Sequence, residues 1–134
     1  MINLSDMVLF GAAYLNQGGS NHINEQHDVY WANLFSLFGY VPFDCFRPLV
    51  WGDKEIPFWY QQNTFLYVRL DSNHFKEMVK NGMSPIINLE FMNCVHPELF
   101  LLRSSPKSMI KALIIKLIPK PILPIALKIK HIFD

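Results

Sequence analysis

The side chains with the most chemistry in this chain fall in one short stretch, Gln17-Gly18-Gly19-Ser20-Asn21-His22-Ile23-Asn24-Glu25-Gln26. His22 and Glu25 stand three apart, a spacing that turns two side chains to the same side of a first helical turn. Such a pair can act as a general base with its orienting carboxylate, or as two metal ligands. Two ligands do not complete a zinc site, and no third has useful spacing, so no metal site is predicted. Asn24, Glu25 and Gln26 also bond well to exposed backbone amides, so a purely loop-fixing role stays open beside substrate contact. Gln17-Gly18-Gly19 is neither a Walker loop nor a GxGxxG turn. A tight turn needing positive φ accounts for its glycines without a ligand.

A second cluster lies further on: Trp51, Trp59, Tyr60 and the run Gln61-Gln62-Asn63. Aromatic faces hold apolar or sugar-like ligands while amides orient them; core packing with edge capping is the alternative. Arg47, inside an apolar run, calls for an anion, which Asp44, Glu25 or a ligand acid can supply. A structural ion pair is the simpler expectation.

Several elements must position these groups. Val8 to Ala13 is apolar at both parities, which predicts an interior strand. A buried strand that ends in a polar glycine loop and leads into a helix is typical of the carboxyl edge of a parallel sheet, where ligands bind. From Asn24 to Phe38 the pattern turns helical, with Tyr30, Trp31, Leu34, Phe35 and Phe38 as one apolar stripe and Gly39 as its stop. Val41–Val50 reads as a second strand, with Pro42 and Pro48 marking an edge or a bulge. Residues 51–57 read as a loop turning at Gly52-Asp53. Phe58–Arg69 reads as a third strand, best over residues 64–68. The link is too short for a crossover, so the second and third strands should pair antiparallel. Asp71 or Ser72 can cap a short helix closed by Asn81-Gly82. Residues 85–103 carry no clear pattern. In the tail, Ile110, Leu113, Ile114 and Leu117 fit a helical face, and Pro119, Pro121 and Pro124 then break it.

The 134 residues are enough for one domain, 51% hydrophobic and 17% charged, with net charge +1. That composition is not a disordered one and excludes a globally basic nucleic-acid binder. Cys45 and Cys94 make no framework and no CxxC; two buried thiols in a reducing cytoplasm are expected. The N-terminus lacks a basic region before its apolar run, so no signal peptide is read, and no uncharged apolar run reaches the ~18 residues of a membrane span. Six lysines against one acid in residues 106–134 suit a weak membrane-surface or protein contact.

The ordered set Gln17-Gly18-Gly19, His22, Asn24-Glu25-Gln26, Tyr30-Trp31, Gly39-Tyr40, Asp44, Arg47-Pro48, Trp51, Trp59-Tyr60 and Gln62-Asn63 resembles the C-terminal half of bacterial class I S-adenosylmethionine-dependent methyltransferases. His96-Pro97-Glu98 is similar to a short element that trails this motif. The likeness covers about half the chain. It departs at His27, where relatives tend to carry an aromatic residue. The resemblance implies an α/β, partial Rossmann-like fold: a strand of a parallel sheet, a helix, then a reversed strand pair, without the cofactor-binding half. It implies a substrate-facing loop and a substrate-binding set of Gln17, His22, Asn24, Glu25, Trp59, Tyr60 and Asn63. No cofactor residue carries over, because the donor-binding glycine turn and ribose-holding acid have no counterpart here. The expected organisation is a methyltransferase-like part over 1–70, an extension over 71–103 and a lysine- and proline-rich tail over 104–134. The chain then reads as a fragment or split half, beginning in the middle of a fold and not catalytic alone. Its open sheet edge would be met by a missing half or by a second copy. The alternative is a peripheral membrane or protein-interaction module built on the tail.

Overall fold

A computed structural model describes residues 5–19 and 22–117. The chain divides into two compact units, Met1–His96 and Pro97–Asp134. No helix among the described residues is long and apolar enough to cross a membrane.

The first unit is mixed helix and strand, α/β in the broad sense. Its centre is a three-stranded sheet of β1 (Met7–Phe10), β2 (Tyr40–Phe43) and β3 (Phe65–Arg69), in the order β1-β3-β2. The expected antiparallel pair is there: Val41 lies opposite Val68 and Phe43 opposite Leu66. The parallel ladder expected for the first strand is not. β1 pairs antiparallel with β3, Val8 opposite Tyr67 and Phe10 opposite Phe65. β1 and β2 therefore run the same way with β3 inserted between them, and α1 (Asp28–Ser36) makes the crossover. Pro42, which has no N–H to donate, sits on an edge strand, and its carbonyl accepts from the Ile86 N–H at 2.8 Å.

One face of the sheet carries Val8, Tyr40, Phe65 and Tyr67 against Ala32, Phe35 and Met92. Phe35 stacks on Tyr67 with centroids 4.0 Å apart, and Phe10 meets both rings edge-on. On the other face Phe43 meets Phe75 of α4 (Asn73–Lys80). Ser72 caps α4 as expected, its Oγ accepting from the Phe75 N–H, and Asn81 closes the helix.

Four further expectations need correction. The apolar stripe of the first helix is rotated: Asp28, Ala32 and Phe35 point inward, while Tyr30, Leu34 and Phe38 are exposed. Close approach of α1 to the sheet needs the small Ala32 where the sequence pattern looks for bulk. The second strand stops at Phe43, and Arg47–Val50 is a short helix, α2, with Pro48 in its first turn, where a missing N–H costs nothing. The third strand begins only at Phe65; Phe58–Asn63 is a helix, α3, with Pro57 at its N-cap. The unpatterned stretch contains a 3-10 turn (Leu89–Met92) and a helix, α5 (Pro97–Ser104). Of the two cysteines, Cys45 is half-buried and Cys94 exposed, so the expectation of two buried thiols holds for neither in full.

Arg47 is 7% exposed and engaged on all sides. Its Nε and Nη2 both donate to Asp44 Oδ2, at 2.9 and 2.6 Å, and its remaining donors reach the Met92 and Phe91 carbonyls. The guanidinium lies 4.4 Å above the Phe65 ring. The structural ion pair expected for Arg47 is thus what the chain forms, and it ties the 3-10 turn to the sheet. Asp28 is buried near this pair, and its Oδ2 has no hydrogen-bond partner. Burial pushes its carboxyl up to about 7; the Arg47 guanidinium opposes this and the Asp44 charge adds to it.

In the second unit α5 packs on α6 (Pro106–Leu117). Ser105 Oγ caps α6 by accepting from the Ser108 N–H at 3.2 Å. The helical face expected in the tail lies on α6, and the proline run from Pro119 lies outside the described residues.

Two outcomes follow for stability. Arg47→Ala strands Asp44 and the Met92 carbonyl, and should cost about 3 kcal/mol or more in urea unfolding. For Asp28, an unfolded carboxyl ionises near 3.8 and the folded one near 7. Between those values the folded chain holds a proton that the unfolded chain has lost. Its contribution is therefore most favourable below about pH 4, declines as pH rises and levels off above about 7. Asp28→Asn should flatten that slope in urea midpoints measured across this range.

Candidate functional site

β1 leaves the sheet at Phe10, and Gly11, Ala12 and Ala13 follow it outside the ladder. The chain then turns sharply, with Asn16, Gly18 and Gly19 all at positive φ. It returns so that the Gln26 N–H bonds to the Ala13 carbonyl at 3.2 Å, closing a compact loop beside the end of β1. His27 starts α1 without a side-chain cap. Its ring instead packs edge-on against Tyr14, and its Nδ1 lies 2.9 Å from the Tyr14 hydroxyl.

Between this loop and α3 lies a cleft of about 390 Å³. Leu9, Phe10, Gly11, Ala12 and Ala13 line one part of it; Gln17, His22, Trp59, Tyr60, Asn63 and Thr64 line the rest. Five of the seven residues singled out from the sequence therefore share one cavity. The other two stand behind it. Glu25 accepts from the Gly18 N–H at 2.9 Å and lies 3.0 Å from His22 Nδ1 through the same oxygen, Oε1. Asn24 accepts from Gln26 Nε2 and does not line the cleft. Of the two roles left open by the sequence, loop-fixing is the one these contacts display: Glu25 holds the Gly18 N–H and also the His22 ring. A carboxylate accepts hydrogen bonds and does not donate them, so Nδ1 is the donor in this contact and Nε2 lies outside it.

Gly19 makes this possible. It sits at φ +135°, and a Cβ there would lie 2.6 Å from His22 Cε1. The imidazole lies where any other residue would put its side chain.

Trp59 and Tyr60 present exposed rings, 42% and 61% accessible, with centroids 6.2 Å apart. The three amides after them divide. Asn63 lines the cleft and donates from Nδ2 to Gln17 Oε1 at 2.7 Å; the same oxygen accepts from the Tyr14 N–H. Gln62 is fully buried, donating to Asn63 Oδ1 and accepting from the His96 N–H at 2.7 Å. Gln61 is buried too, holding the 51–57 loop through Gly52, Asp53 and Ile56. Trp51 lies outside the cleft: it packs on His96 and lines a separate hollow of about 230 Å³ with Asp44, Arg47, Pro48, Phe91 and Cys94. Sequence reasoning missed Thr64 and the Leu9–Ala13 part of the lining. Only their place, just before the first motif and just after the second, could have pointed to them. Among the described residues no group of three His, Cys, Asp or Glu is placed to hold a metal ion.

No family model, curated protein or solved structure matches this chain.

Gly19→Ala should push the imidazole off Glu25 and strain the loop by roughly 1–3 kcal/mol. Amide exchange is the readout: faster at Gly18, whose N–H Glu25 holds, and unchanged across β3.

Proposed function

We propose that the first unit supplies the acceptor-substrate side of a methyltransferase site, of the class I S-adenosylmethionine-dependent kind that its sequence resembles. The observation that carries this is convergence: Gln17, His22, Trp59, Tyr60 and Asn63, from two stretches far apart in sequence, line one cleft beside the end of β1. The order of elements supports it as well. A strand, a helix and then a reversed pair is the partial Rossmann-like arrangement that the resemblance implies.

In this role Trp59 and Tyr60 hold a flat face of the acceptor, and Asn63, steadied by Gln17, orients its polar groups. His22 Nε2 takes the proton that an acceptor hydroxyl or amine loses when it is methylated. Glu25 stabilises the imidazolium that results. The methyl donor does not fit this lining. The resemblance asks for an acidic residue on the ribose hydroxyls, and the cleft contains no carboxylate. The donor is therefore assigned to a complementary part of the sheet. Among the described residues β1 has a ladder partner on one side only, and its own Leu9 is 54% exposed, which supports that edge as the place where such a part would join. This chain alone is then an acceptor-binding half without methyl transfer.

Isothermal titration of the chain with S-adenosylmethionine should show no micromolar binding; micromolar binding would overturn this division. Saturation-transfer NMR with a panel of methyl hexosides tests the other half. Trp59 and Tyr60 should contact at least one of them, and Trp59→Ala should weaken that binding by about tenfold. Absence of ring contact with every member would remove the acceptor role.

A further inference from the structure

We infer that α6 is a docking element for anionic membrane surfaces, lying in the interface plane with its apolar side in the lipid and its lysines on the headgroups. This stands independently of what the cleft binds.

The first observation is exposure. Met109, Ile110, Leu113 and Leu117 are 62%, 57%, 59% and 74% accessible, so these four apolar side chains face outward. A helix advances about 100° per residue, which gathers these four into one arc roughly 100° wide. The second observation is where the charge falls. The same advance sets Lys116 at one border of the arc and Lys107 towards the other, with Lys111 beyond Lys107. α6 has no acidic residue, and residues 97–117 carry Arg103 and these three lysines against Glu98 alone.

An apolar arc with lysine borders is the charge pattern of an interfacial helix, whose stems reach along the lipid while the ammonium groups meet anionic headgroups. Length agrees: the 12 residues of α6 give about 18 Å, short of the ~30 Å needed to span a bilayer. The charge pattern also opposes a second copy as the occupant, since an antiparallel pair would bring one lysine border against another.

The test is flotation of the full chain with phosphatidylcholine vesicles, with and without one-third phosphatidylglycerol. The chain should float with the anionic vesicles alone and be released by high salt. Lys107→Glu with Lys116→Glu should lower the partition at least tenfold, since each lysine near such a surface contributes roughly fivefold. Ile110→Asp with Leu113→Asp should abolish it. Near-ultraviolet circular dichroism should be unchanged in both variants, because the altered side chains are on the outside. Flotation equal on neutral vesicles, flotation unaffected by these variants, or none at all overturns the inference. A concentration-dependent dimer dissolved by Leu113→Asp, without flotation, would assign the face to a second copy instead.

Discussion

A line of side-chain amides holds the first unit's loops in register. The Tyr14 N–H and Asn63 Nδ2 converge on Gln17 Oε1; Asn63 Oδ1 takes the Gln62 amide; Gln62 Oε1 takes the His96 N–H. Asn63 and Gln62 are each used in one sense, oxygen toward one neighbour and nitrogen toward the next. Turning one group over would set donor against donor. Buried polar chains of this kind are costly when broken and directional when whole. Here the direction matters because the line crosses three segments that no β ladder joins: the turn after β1, the end of α3 and the residues just before α5. The cleft lies where the first two of these meet, so its width is set by hydrogen bonds.

The same fact explains what could be read from sequence. The pair β2–β3 was legible from two apolar runs close in sequence, although the link between the strands, residues 44–64, is longer than the expected loop and holds α2 and α3. The cleft residues were legible because ordered motifs name them. The α3 helix was not, since Gln61 and Gln62 enter the interior by hydrogen bonding while hydrophobic periodicity looks for apolar groups. A six-residue helix also has little intrinsic preference to announce itself. Arg47-Pro48 misled for a related reason. Next to apolar Phe46 and Leu49 it looks like the end of a strand, yet proline suits a helical first turn and the guanidinium needs Asp44 one turn back. On α1 the inward side is marked by an alanine and an aspartate, residues that a search for bulk passes over.

Asp28 and Asp44 flank one guanidinium, and only Asp44 bonds to it. Arg47 thus supports the sheet side of the core through Phe65 and the 3-10 turn through two carbonyls. Asp28 meanwhile sits at the first turn of α1, directly after the loop that carries His22 and Glu25. The buried charge cluster and the cleft thereby share a helix start. A change in charge at Asp28 acts on the segment that fixes where that loop returns.

The strand order has a consequence for the order of assembly. β1 is made first, yet its ladder partner β3 comes about sixty residues later, Met7 meeting Val68. During synthesis an apolar strand must wait unpaired until nearly the whole first unit has left the ribosome. Closure of so long a loop makes docking of β1 a late and slow event compared with the pairing of β2 with β3, whose link is shorter. The nascent chain is therefore most exposed to misassociation, and most dependent on chaperones, in the interval before residue 69 emerges.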